Sequence, residues 1–97
     1  MEKYVKYISD SNVNVVNLPQ DLDKLFNFVG HKVYITTIRD SKYVGILGKI
    51  NKKKMKFFLS ELCILNKDFS GGICSGNADY NKRWFNISSI VKVEIKG

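Results

Sequence analysis

Residues 42–50 read KYVGILGKI, and this stretch decides how the chain folds. Tyrosine, valine, isoleucine and leucine suit a half-buried strand, but Gly45 and Gly48 interrupt them. Glycine inside a strand weakens a flat sheet while permitting a bulge or a sharp bend, so this strand is expected to curve. Before it lies residues 32–38 (KVYITTI), across a polar turn at Arg39-Asp40-Ser41; after it lies 55–65 (MKFFLSELCIL). Connections this short join neighbouring strands antiparallel. Residues 32–65 therefore predict a meander bent at its middle strand, the corner that a small barrel needs.

Further out, residues 83–87 (RWFNI) and 90–95 (IVKVEI) read as two short strands broken at Ser88-Ser89, where one tight turn keeps the chain in the sheet. Residues 66–82 carry Gly71, Gly72, Gly76 and a scatter of Asn, Asp and Ser, the composition of an extended loop or a splayed hairpin tip. Upstream, Pro19 suits a first helical turn and Asp21 and Asp23 suit the positive end of a helix dipole. Leu18, Leu22, Leu25, Phe26 and Val29 then make one apolar stripe, and Gly30 supplies a helix stop. Residues 3–8 and 12–18, parted by Ser9-Asp10-Ser11, read as a hairpin or as one strand with a lead-in. The fold class is mainly β: a small, strongly bent five-stranded antiparallel barrel with one short N-terminal helix and an extra N-terminal strand or hairpin. One domain is expected, with residues 1–17 an extension and 18–97 the barrel.

Ninety-seven residues are too few for a doubly wound nucleotide-binding domain or a TIM barrel. A formal charge of +7 directs attention to polyanions, either nucleic acid or an acidic protein surface, although an AT-rich coding bias also yields lysine-rich chains. Cys63 and Cys74 are expected to be two separate thiols in a reducing cytosol, in preference to a disulfide across the ten residues between them. One histidine, His31, argues against a metal cluster, and no cofactor is implied. Without a signal-like N-terminus or an eighteen-residue apolar run, the expectation is a cytoplasmic protein with no membrane partner.

One helix followed by five strands, with a glycine-bent second strand and a last pair broken by a tight turn, resembles an Sm-like (LSm) barrel, a strongly bent five-stranded antiparallel SH3-like sheet. The resemblance covers residues 18–95. Leu18-Pro19 through Gly30 looks like the helix and glycine that open the family, Lys32-Val33-Tyr34-Ile35 is similar to its first strand, and Asp40 sits at its acidic turn. Residues Tyr43 to Ile50 resemble its aromatic-x-Gly-x-Leu strand, Met55 with Phe57-Phe58-Leu59 resembles its Met-Asn-Leu-x-Leu stretch, and Ile87-Ser88-Ser89-Ile90-Val91 looks like its terminal strand junction. The resemblance implies a ring in which the fourth strand of one subunit pairs with the fifth of the next, here residues 83–87 and 90–95. It also implies an inner pocket for single-stranded uridine-rich RNA. In the family that pocket is lined by an Asp and an Asn flanking one loop and by an Arg-Gly pair in the later strand junction. Here Asn51 takes the place of the Asp, Lys56 that of the Asn, and Arg83, followed by Trp84, is what remains of the Arg-Gly pair. These departures argue against the family's base specificity and leave a backbone-binding derivative.

Lys49, Lys52, Lys53, Lys54 and Lys56 place five cations within eight residues, on what reads as one loop between two strands. Lysine is a flexible point charge that pairs well with phosphate and poorly with particular base edges. Its plainer role is to keep a turn solvated. Aromatic rings supply the second ingredient of single-strand binding, and the candidates are Tyr43, Tyr80 and Trp84. Arg83 beside Trp84 could hold a phosphate and a base together, whereas a lone tryptophan also suits a small core. Phe26, Phe28, Phe57, Phe58 and Phe85 are assigned to the core or to subunit contact. No catalytic constellation is found: the glycines lack a phosphate-loop lysine, and His31 has no Ser or Cys at a recognisable spacing. The expected function is non-catalytic binding of single-stranded RNA or another nucleic acid through Lys49, Asn51, Lys52, Lys53, Lys54, Lys56, Arg83 and Trp84, on a homo-oligomer. The alternative is an SH3-like interaction module with an acidic protein partner, its contact made by loop 66–82 or an exposed edge strand.

Overall fold

The middle strand bends where its glycines lie. In the computed structural model, which describes residues 13–66, 71–74 and 81–96, β1 is Val13–Asn17, β2 Lys32–Thr37, β3 Lys42–Asn51, β4 Lys56–Leu65, β5 Gly72–Cys74, β6 Arg83–Asn86 and β7 Ile90–Lys96. They form one antiparallel sheet in the order β1-β7-β2-β3-β4-β5, with β6 also paired to β4. The expected meander is β2-β3-β4. The five expected barrel strands are β2, β3, β4, β6 and β7, and the extra N-terminal strand is β1. Residues 3–8, and the turn at 9–11 that would pair them with it, lie outside the described residues.

Two register shifts between β3 and β4 create the bend. Between Val44 and Ile46, β4 spends one residue more than β3; between Leu47 and Ile50, β3 spends one more than β4. The first bulge contains Glu61, whose φ of 50° is left-handed, and faces Gly45. The second contains Gly48 and Lys49. The two shifts cancel, so Asn51 and Lys56 end in the register that Val44 and Cys63 began. Each bulge adds local twist, and together they roll the sheet without losing the pairing at either end. A Cβ on Gly45 would lie 2.8 Å from the Ser60 carbonyl oxygen, whereas one on Gly48 would meet first the Phe58 ring, at 3.2 Å.

Rolling brings β6 and β7 together at the open side, and a 3-10 turn, η2 (Ile87–Ser89), bridges them. The Ile87 N–H donates to the Met55 carbonyl and the Ile38 N–H donates to the Ser89 carbonyl, both at 2.9 Å. The turn is thus tied at one end to the β3–β4 turn and at the other to the β2–β3 turn. Inside are Val33, Ile35, Leu47, Phe57, Leu59, Phe85, Ile87, Val93 and Ile95, all buried. Each such side chain contributes roughly 1.5–3 kcal/mol of transfer free energy, which must offset the conformational entropy of ordering the chain.

The helix is shorter than its stripe predicts. Residues Leu22–Leu25 form α1 and Phe26–Phe28 continue as a 3-10 turn, η1, with Gly30 at φ 92° as the expected stop. A three-residue period stacks Leu22, Leu25 and Phe28 on one side. Leu22 and Leu25 are buried and Phe28 packs on the core, while Phe26 and Val29 face solvent, which corrects their assignment to the apolar face. The segment caps the barrel: Leu18 joins the core, and the Gly30 N–H donates to the Leu47 carbonyl at 2.7 Å.

Loop 66–82 holds more order than an open loop. Within it, Gly72–Cys74 pairs with Cys63–Leu65, so β4 and β5 form a hairpin, while residues 67–70 and 75–80, Tyr80 among them, lie outside the described residues. Cys63 is disulfide-bonded, which corrects the expectation of separate thiols. Its ladder partner is Cys74; strand register, which a spacing of ten residues does not reveal, sets the two opposite.

The bend generates a graded stability prediction. Gly45→Ala drives a methyl group against backbone and should destabilise the fold by about 1–3 kcal/mol, whereas Gly48→Ala meets a ring that can swing and should cost less than about 1 kcal/mol. Urea denaturation of the two variants beside the wild type measures the order, and equal losses would contradict the assignment of the bend.

Candidate nucleic-acid interface

The lysine-rich segment folds into a tight turn because its ends are clamped. Asn51 Oδ1 accepts the Lys54 N–H at 2.9 Å, the Met55 N–H donates to the Lys52 carbonyl at 3.3 Å, and Met55 takes φ 54° to re-enter β4. The Asn51 carboxamide is therefore occupied in holding the turn. Lys52 is also engaged: its Nζ lies 2.9 Å from Asp23 Oδ1, on α1. Both groups are well exposed, so the pair adds little to stability, yet it draws one cation away from the other lysines. Lys49, Lys53 and Lys54 are exposed and have no carboxylate partner among the described residues.

Beside this turn lies an aromatic platform. β6 pairs with β4 so that Trp84 stands opposite Phe58 and Asn86 opposite Lys56. Trp84 is 44% exposed, its ring centroid is 5.3 Å from that of Phe58, and Lys56 Nζ lies 6.0 Å from the indole centroid. The indole is thus a surface ring with a second, tilted ring packed against it and a cation over it. Phe58 is only half-buried, so of its assignment to the core or to subunit contact the core is set aside. The signal was the Phe57-Phe58 pair itself: adjacent residues of a strand face opposite sides, so one of the two had to point outward.

The same alternation separates Arg83 from Trp84. The Arg83 guanidinium carbon lies 4.6 Å from the Phe85 centroid and 5.3 Å from that of Tyr43, on the side of the strand that Phe85 turns to the barrel. Arg83 and Trp84 therefore cannot grip one nucleotide between them, which corrects the sequence reading. With Thr37, Ile38, Arg39, Ser41, Tyr43 and Ser89, Arg83 instead lines a concave pocket of about 360 Å³. The pocket sits at the Ser89 end of η2, while the lysine turn sits at the Ile87 end.

No family model and no curated sequence matches this chain. Folds do match. A heptameric archaeal Sm protein, known from its crystal structure, superposes with a TM-score of 0.59 over 75% of this chain and 96% of its own, at 10% identity. The fold is Sm-like. A chain from the crystal structure of the NatC complex bound to CoA is similar in fold as well, with a TM-score of 0.57, 17% identity, and coverage of 73% of this chain and 82% of that one. Identity this low carries the architecture and none of the site chemistry, so the Sm-like positions are judged by what stands in them here. Asn51 is locked into its own turn, Lys56 turns to the indole, and Arg83 reaches η2 at the end away from the lysines.

The edges of this Sm-like sheet also differ from the expected ring. β7 is paired on one side with β2 and on the other with β1, from Val13↔Lys96 to Asn17↔Lys92, and Leu18 N–H donates to the Val91 carbonyl at 3.1 Å. Residues 90–95 are thus not an open edge, because the chain supplies its own strand there. β6 differs: among the described residues it pairs with β4 alone.

Trp84 makes this surface measurable. Trp84→Ala should weaken binding of a labelled single strand roughly 5- to 150-fold, the value of one base stacked on a ring, and should leave the folded state intact because the indole is a surface group. Lys52→Ser should weaken binding less than Lys53→Ser. Fluorescence anisotropy reads the affinities and circular dichroism the fold; unchanged affinity in Trp84→Ala would remove the platform from the site.

Proposed function

We propose that this protein binds single-stranded RNA or DNA without catalysis, holding phosphates with Lys49, Lys53, Lys54 and Lys56 and stacking a base on Trp84. One observation carries the reading: an exposed indole with a cation over its ring stands beside a turn whose remaining lysines lack acidic partners among the described residues. Point charges and a flat ring recognise any backbone and any base, so the binding is electrostatic capture with little sequence choice. The heptameric Sm protein shares the barrel and supports an oligomeric, RNA-associated reading. Copies of this chain that join at the edges discussed above would use β6, since β7 is already paired on both sides.

The open β6 edge favours a second reading, an acidic protein partner that adds a strand there. The Ile87 N–H bond to Met55 fixes the phase of the β4–β6 ladder. Antiparallel alternation then turns the N–H and C=O of Phe85 toward β4 and those of Trp84 and Asn86 outward. The neighbour within the NatC complex supports the idea that this barrel serves in a protein assembly.

Salt separates the two readings. Four single-strand phosphate contacts give a slope of log K against log salt near −3, at roughly −0.7 per contact. Lys53→Ser with Lys54→Ser should bring it to about half of that. Anisotropy titrations of oligo-U and of random single strands at two salt concentrations supply the slope. Absence of binding at low salt would remove the nucleic-acid reading and leave the protein partner.

A further inference from the structure

The pocket at the Ser89 end of η2 is built differently from the lysine turn. Its two cations are arginines, on different elements, brought together by closure of the barrel: Arg39 from the β2–β3 turn and Arg83 from the start of β6. Neither has a carboxylate partner among the described residues. The nearest acid in sequence, Asp40, is held by Lys42 Nζ at 3.1 Å. The Arg83 guanidinium lies against the Tyr43 and Phe85 rings. Such packing restrains a side chain that would otherwise lose much rotamer freedom on binding, while its N–H donors remain available in the guanidinium plane. Thr37 Oγ1 accepts the Ser41 N–H at 3.1 Å and retains its own proton to donate. The hydroxyls of Ser41 and Ser89 make no hydrogen bond among the described residues.

Two arginines, the aliphatic hydroxyls of Thr37, Ser41 and Ser89, and no carboxylate in one concavity describe a receptor for a compact anion with several acceptor oxygens. A volume of about 360 Å³ exceeds the need of a bare ion and falls within the range of small-molecule sites. A phosphodiester inside a strand carries a single charge, whereas a terminal phosphate near neutral pH carries almost two, which matches two arginines better. We propose that the Arg39–Arg83 pocket binds a phosphate monoester, presented either by a free nucleotide or by the end of a nucleic-acid strand. The site stands on residues that the lysine turn and Trp84 do not use, so it does not depend on the single-strand reading.

The test uses the full chain, titrated with adenosine monophosphate and, separately, with adenosine, and followed by backbone amide shifts. The monophosphate should move the signals of residues 37–41 and Ser89, and adenosine should not. Arg83→Lys keeps the charge but loses the planar fork, and Arg39→Ala removes an exposed cation; each should weaken the monophosphate about ten-fold or more. Lys53→Ser with Lys54→Ser should leave that affinity unchanged. Equal responses to the two ligands, or a response that survives both arginine variants, would overturn the site. So would loss of the response in the lysine variant, which would place the phosphate at the other end of η2. A short strand with a 5′-phosphate, compared with its 5′-hydroxyl twin, then separates the sources. A phosphate-dependent gain lost in Arg83→Lys identifies a strand end, and equal binding of the twins beside a positive monophosphate response identifies a free nucleotide.

Discussion

Everything in this molecule depends on how closely β3 can approach β4. The two strands come within reach of a backbone clash at Gly45, where a single added carbon would press on the Ser60 carbonyl oxygen. A flat pair would not need that proximity. A rolled pair does, because the inner surface of a curved sheet is shorter than its outer surface, and the excess backbone is taken up by one bulge on each strand. The bulges offset each other, so the sheet turns a corner and still presents Asn51 and Lys56 in step at the lysine turn. Without that corner β6 and β7 would be distant edges, η2 would have nothing to bridge, and neither the platform nor the arginine pocket would exist.

Curvature also explains why the positive charge is divided. Along β6 the side chains alternate, so Trp84 joins Phe58 and Lys56 outside, while Arg83 follows Phe85 toward the barrel mouth. The η2 turn then places the lysines near Ile87 and the arginines near Ser89. The outside carries lysine point charges beside an exposed ring, the surface proposed for a long and variable polyanion. The mouth carries the Arg83 guanidinium packed on rings with Arg39 lining the same pocket, the place proposed for a small and well-defined anion. A net charge of +7 describes both without distinguishing them.

The N-terminal strand changes what the barrel can join. By pairing with β7 along its length, β1 satisfies backbone groups that would otherwise form a sheet edge. The Sm-like architecture is kept while the edge expected to receive a neighbouring subunit is filled from within the same chain. What remains at β6 is a short edge whose outward N–H and C=O groups belong to Trp84 and Asn86. An added strand there would pass beside the indole.

Strand identity and the place of the bend were readable from the chain because they rest on local chemistry: β-branched and aromatic runs for the strands, Gly45 and Gly48 for the corner, Gly30 for the helix stop. The alternation that turns Phe58 outward was readable too, from Phe57 beside it. Other features come from contacts between residues far apart in sequence. Lys52 meets Asp23 because α1 caps the barrel, Cys63 stands opposite Cys74 because the β4–β5 register sets them there, and β1 covers β7 because the rolled sheet brings these two distant segments together. Glu61 adopts a left-handed conformation that its residue type disfavours, and only the mismatch between two bent strands requires it. Sequence determined which segments extend and where they can fold back, since those preferences act within a few bonds. Tertiary structure decided which cations share a surface, since that depends on how a sheet closes through space.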